Sequence, residues 1–268
     1  MRVHTIQTGR LVGNKTFMRA ESRWAAFRRR EDFAFPVYSY ILEHAEELIA
    51  IDSGLGEVGY SVGPFGRILP RPLIGPGEEI GPQMQAAGLR PQDVSRVVIT
   101  HLHPDHVGGL GHFPNAEILV HRPEHRFATS FMGKLLYQPG LWPSFEPKLY
   151  DLDTEPYGPF PKSKRLTDSG DIRLVPIAGH SIAQVGVIVQ TNGAALFFSA
   201  DHALRQDWLV EDWEAERISM VSAARSRRRA VETSSRIRRF VEEVPTVLVP
   251  AHDVEAPARL DAMEPLEL

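Results

Sequence analysis

Residues 96–110, RVVITHLHPDHVGGL, constrain this chain more than any other stretch. Val97, Val98, Ile99 and Thr100 form an apolar, β-branched run that predicts a buried strand. The run ends directly in His101, His103, Asp105 and His106, four metal-competent side chains within six residues. Setting imidazoles and a carboxylate at the end of a buried strand is unfavourable unless a cation offsets their desolvation. Pro104 argues against a helix at the cluster. In an extended loop His101 and His103 point the same way, since side chains alternate with period two, and they can share one ion. Asp105 and His106 then turn toward a second ion. Gly108 and Gly109 read as a tight backbone bend after the ligands.

Composition narrows the chemistry. The 268 residues include no cysteine, so disulfides and thiolate ligands are impossible and every metal ligand must be His or carboxylate. With 43% hydrophobic residues the chain can bury a sizeable core. A net charge of -4 argues against a dedicated nucleic-acid binder. The opening segment MRVHTIQTGR lacks the apolar core of a secretion signal. No apolar run approaches the roughly 20 residues of a membrane span. A cytoplasmic protein without membrane association is the expectation.

Read in order, residues 1–11 predict a strand. Residues 15–35 predict a short helix or covering loop around Trp24 and Phe27, flanked by Arg23, Arg28, Arg29 and Arg30. Residues 35–44 and 47–51 predict two strands joined by a polar turn. Residues 54–82 are rich in Gly and Pro, with Tyr60, Phe65, Ile68 and Leu69 available for an apolar entrance. A helix over 78–89 should end at Gly88. Residues 116–120, 171–177 and 246–250 predict strands, and 184–190 with 194–198 a hairpin about Asn192-Gly193. The aromatic and Pro-rich stretch 128–165 reads as a loop that chooses substrate. A short helix is expected over 212–222. Ala230, Ser234, Ile237, Val241 and Val244 give one buried face of a longer helix over 224–244, whose many arginines read as a solvated surface balanced by Glu232, Glu242 and Glu243. His4, His121, His125 and His202 read as structural rather than ligating.

HLHPDH followed by Gly-Gly resembles the HxHxDH signature of the metallo-β-lactamase superfamily. That resemblance implies an α+β fold, a four-layer αββα sandwich, formed by one domain over residues 1–268 with loop insertions at about 54–82 and 128–165. Three later strand ends resemble the superfamily's remaining motifs: Gly179-His180-Ser181, Ser199-Ala200-Asp201 and Ala251-His252-Asp253. By resemblance, His101, His103 and His180 hold one ion, Asp105, His106 and His252 hold another, and Asp201 bridges the two. Asp52, in Asp52-Ser53-Gly54, resembles a structural carboxylate that supports the ligand loop. Two divalent ions are implied, zinc first, with iron, manganese or cobalt as alternatives. A hydroxide between them would attack the substrate, with Asp105 shuttling the proton.

Among branches the chain looks most like the N-acyl homoserine lactonases, through residues 38–44 ahead of Asp52, the bridging Asp201 and the closing His252-Asp253. It departs from them at Leu204, where that branch carries a tyrosine that steadies the substrate carbonyl. An apolar side chain cannot donate a hydrogen bond, so Tyr137 or Tyr157 would have to supply one. The expected activity is hydrolysis of a small-molecule ester or lactone. An aryl esterase or organophosphate hydrolase, a glyoxalase-II-like thioesterase and a mononuclear-iron persulfide dioxygenase are the alternatives, and a homodimer is left open.

Overall fold

A computed structural model describes residues 1–14, 32–45, 47–56, 70–206, 209 and 227–268. The Trp24 and Phe27 segment, the 57–69 aromatics and the helix expected over 212–222 lie outside the described residues. The chain divides into two compact units, Met1–Tyr150 and Asp151–Leu268.

The first unit is built on a seven-stranded sheet of β1 (Arg2–Asn14), β2 (Asp32–His44), β3 (Glu47–Ile51), β4 (Arg71–Leu73), β5 (Val94–Ile99), β6 (Glu117–His121) and β7 (Pro147–Tyr150). Its order is β4-β1-β2-β3-β5-β6-β7. The strands from β4 to β3 pair antiparallel, whereas β3, β5, β6 and β7 pair parallel. Parallel pairing brings the carboxyl ends of β3 and β5 side by side at one sheet edge, the place where open α/β sheets collect function. Helices α1 (Ile80–Ala86), α2 (Pro104–Val107), α3 (Arg122–Ala128) and α4 (Phe131–Tyr137) follow the strands. Ile41, Ala50, Val97, Ile99 and Val120 pack with Ile80 and Met84 of α1 into one core. The α1 terminus is as expected: Gly88 takes φ +79, its amide donates to Gln85 O, and Leu89 N donates to Met84 O.

The second unit holds a five-stranded sheet of β8 (Lys164–Arg165), β9 (Ile172–Pro176), β10 (Val185–Gln190), β11 (Ala195–Ala200) and β12 (Thr246–Pro250), in the order β12-β11-β10-β9-β8. β9, β10 and β11 pair antiparallel and β11 with β12 parallel, so β9, β11 and β12 run in one direction and end at one edge. Every residue of β11 and β12 is buried, which explains their unbroken apolar runs. Helices α5 (Arg227–Glu243) and α6 (Ala256–Ala262) complete the unit. The mixed sheets and helices are of the α+β class. Among the described residues no helix is long and apolar enough to cross a membrane.

Several local expectations change. Pro104 does not exclude a helix; it opens α2 at the first helical position, where its missing N–H leaves no bond unmade. Gly108 and Gly109 do not bend the chain through unusual torsions, their φ being -61 and -89. They are small because a Cβ on Gly108 would lie 2.3 Å from Gly56 N and one on Gly109 2.3 Å from Ser53 O. Residues 128–165 are not all loop, since they contain α4, β7 and β8, elements too short to show a period. The buried face of α5 runs through Ala230, Thr233, Ile237, Phe240 and Val241, with Ser234 half-buried, and Val244 falls one residue past the helix end. α6 was not foreseen.

Candidate metal centre

β5 leads directly into the four candidate ligands of the first unit. His101, Leu102 and His103 leave the strand in extended backbone, with His103 at φ -70 and ψ 151, and α2 then carries Asp105 and His106. His101 Nε2 lies 3.0 Å from His103 Nδ1. Two imidazole nitrogens on one tetrahedral ion, at about 2.0–2.1 Å each, would be roughly 3.3 Å apart. The pair therefore fits a shared cation. Asp105 Oδ2 and His106 Nε2 form a second close pair, 3.5 Å apart. His101, Asp105 and His106 are buried, and His103 is half-buried.

Asp52 ends β3 at φ 58, a left-handed conformation that Asp tolerates, and aims its carboxylate at the neighbouring loop. Its Oδ1 accepts from Thr100 N at 2.8 Å and its Oδ2 from Thr100 Oγ1 at 2.8 Å. The same Oδ2 lies 2.7 Å from His106 Nδ1. Because the Thr100 hydroxyl proton goes to Asp52, its oxygen is left to accept from His101 Nδ1 at 3.2 Å. One carboxylate thus fixes two tautomers. Both rings keep the proton on Nδ1 and present the Nε2 lone pair, the arrangement a ligating histidine needs. The ligand loop is further tied to the β3 end by Ser53 N to His106 O at 2.8 Å and Gly108 N to Gly54 O at 2.9 Å.

The second unit presents its three candidates at the matching strand ends. Asp201 follows β11 directly after Ala200, whose φ of 47 turns the chain sharply. Its Oδ2 lies 3.2 Å from His252 Nε2, just after β12, and 3.5 Å from His180 Nε2, after β9. One carboxylate oxygen facing two imidazoles suits a bridging ligand. All three side chains are buried. His202 faces elsewhere: its Nε2 lies 2.9 Å from Ser234 Oγ, and burial pushes its pKa down to about 3, so it is neutral. Asp253 accepts from Arg259 on α6 at 2.5 Å and from Gln206 N at 2.9 Å, joining the His252 turn to the loop that carries Asp201. Sequence reasoning missed Arg259, whose helix is only seven residues long.

The tyrosines offered for the Leu204 departure separate. The Tyr137 ring centroid is 4.9 Å from that of His103. Tyr157 is committed to other partners, its hydroxyl accepting from Gln190 Nε2 at 2.5 Å and its ring lying under the Arg173 guanidinium at 4.8 Å. Leu204 itself is buried. His4 pairs with Glu43 at 3.0 Å, and His121, the residue before α3, stacks on Tyr150.

A family profile described as the metallo-beta-lactamase superfamily matches residues 32–252. The N-acyl homoserine lactonase AttM of Rhizobium radiobacter is 26% identical over 238 residues, 84% of each chain. A probable metallo-hydrolase of Mycobacterium bovis is 34% identical over 160 residues, 56% of this chain, and the match spans only about half, 51%, of that relative's length. Among solved structures, a mutant of Bacillus thuringiensis AiiA with N-decanoyl-L-homoserine at its active site superposes with a TM-score of 0.76 at 19% identity, covering 96% of this chain and 94% of that one. With 221 consecutive positions matched by one family profile (32 through 252), the chain has the metallo-β-lactamase fold and belongs to the metallo-β-lactamase superfamily.

Proposed function

We propose that this protein is a metal-dependent hydrolase of ester or lactone bonds, with N-acyl homoserine lactones as the first candidate substrates. In this reading the two units act as one metallo-β-lactamase domain. His101, His103 and His180 hold one divalent cation, Asp105, His106 and His252 hold another, and Asp201 bridges them. Donors that are all nitrogen and oxygen fit zinc first, with iron, manganese and cobalt as alternatives. Bound there, the ions supply Lewis acidity and a water that ionises near neutral pH.

The observation that carries the reading is the Asp52 relay, which prepares the Nε2 atoms of His101 and His106 before any ion arrives. Such preparation has no use in a polar loop that binds nothing. Asp105 is the proton carrier, taking a proton from the attacking water and returning it to the departing oxygen. The similarity to AttM over 84% of both chains supports a lactone as substrate.

Leu204 favours a second reading, an aryl esterase or organophosphate hydrolase, because its buried apolar side chain has no donor for a lactone carbonyl. A substrate panel decides between them. Zinc-loaded protein should hydrolyse acyl homoserine lactones faster than aryl esters, phosphotriesters and thioesters. Turnover confined to phosphotriesters or aryl esters would establish the second reading, and turnover of phosphodiesters alone would remove both.

A further inference from the structure

The arginine-rich helix α5 has no part in the reading above, yet its inner face touches two of the three turns that carry candidate ligands in the second unit, those of His180 and Asp201. Thr233 Oγ1 donates to Ala178 O at 2.7 Å, two residues before His180. Arg229 donates to Ile182 O at 3.1 Å, two residues after it. Between these anchors Gly179 lies against the helix so closely that a Cβ there would come 2.9 Å from Ala230 Cα. One turn along, Ser234 Oγ meets His202 Nε2 at 2.9 Å, and His202 adjoins Asp201. Residues 229, 230, 233 and 234 follow the i, i+1, i+4, i+5 spacing of a single helical face. Two arginines on the other face are engaged in ordinary surface pairs, Arg228 with Glu232 and Arg239 with Glu243.

We infer that α5 is the positioning element of the metal centre. Its Ala230–Thr233–Ser234 face grips the His180 turn and the Asp201 turn together and sets the separation of His180 Nε2 from Asp201 Oδ2, 3.5 Å in this structure. Thr233 and Ser234 are positioning residues, acting through the backbone of one turn and the imidazole of the other. The inference rests on the reading of His180 and Asp201 as ligands. It gives the helix a function on its inner side and makes its charge incidental.

The test is competition for zinc between a chelator and the full chain. Thr233→Val keeps the shape and removes the donor. It should weaken one of two bound zinc ions by about 10–100-fold, the usual effect of losing an outer partner of a metal ligand. Thr233→Ser should restore the affinity, because the hydroxyl returns. Ser234→Ala, at a half-buried position that tolerates the change, should weaken zinc in the same direction. Arg239→Gln, on the outer face, should bind as wild type. The melting temperature of the metal-free variants should stay near that of the metal-free wild type, which separates positioning from general stability. Two zinc ions in wild type and unchanged affinity in both Thr233→Val and Ser234→Ala would overturn the inference and leave the hydrolase reading standing. A wild-type chain that retains no zinc would overturn both.

Discussion

At the scale of single residues, the proposed centre separates side chains that would prepare ligands from the one that would move protons, and the two kinds should fail differently. Asp52 accepts from Thr100 twice and meets His106 Nδ1 at 2.7 Å, so its carboxylate determines which nitrogen of His106 carries the proton. In Asp52→Asn the new amide can set a donor against Nδ1–H, and the ring is pushed toward the wrong tautomer. Zinc affinity should fall about 10–100-fold. Activity should return when zinc is supplied in excess, since no reacting group has been lost. Asp105→Asn should behave the other way. An amide cannot take up a proton at neutral pH, so turnover should drop by at least about 100-fold at saturating zinc, with far-ultraviolet circular dichroism unchanged. Recovery of Asp105→Asn by excess metal, or failure of Asp52→Asn to recover, would reverse the two assignments.

At the scale of elements, the loop that carries His101 to His106 is held by packing too close to admit a side chain. Gly108 and Gly109 have ordinary torsions, so their lack of a Cβ is a matter of space between α2 and the end of β3. Gly109→Ala would press a methyl against Ser53 O at 2.3 Å, and backbone cannot yield as a flexible side chain does. Overpacking of this kind costs about 1–3 kcal/mol. Chemical denaturation of the variant should show that loss together with weaker zinc binding, because the displaced backbone carries His106. A stability equal to wild type would mean the loop moves freely and is not held by this contact. The same loop shows what sequence could and could not say. The residues from Val97 to His106 were legible because a β-branched run and a dense set of donors are local signals. The role of Asp52 was legible only through likeness to a family, since its partner Thr100 is 48 positions away. Pro104 misled because the rule against proline inside helices says nothing about the first helical position, where it is favoured. Thr233 and Arg259 were invisible, because a threonine on a helix and an arginine in a seven-residue helix carry no pattern pointing to the carbonyl or carboxylate they meet. Phe240, missing from the expected face of α5, is recruited by Phe160 and Phe197 at 5.9 Å each, a tertiary contact that no helical period reports.

At the scale of the whole molecule, the matter is what three buried carboxylates and four buried histidines of the candidate centre do to stability when no cation accompanies them. Asp52, Asp105 and Asp201 are each nearly inaccessible to water, as are His101, His106, His180 and His252. Burying that many ionisable groups is unfavourable, and hydrogen bonds among them offset only part of the loss. In the proposed ligand set, bound ions would make up the difference and would bind the folded chain but not the unfolded one. Linkage then fixes the sign: removing metal must lower the melting temperature. A site held at about 1,000 times its Kd contributes about 4 kcal/mol, and in a chain of this size each kcal/mol moves the melting temperature by roughly 2–4 °C. Dialysis against a strong chelator should therefore lower it by about 8–16 °C per ion lost, and titration with zinc should restore it in proportion to occupancy. A melting temperature indifferent to chelator would mean that these side chains are stable together without a cation, and the argument from their burial to a metal centre would fail with it.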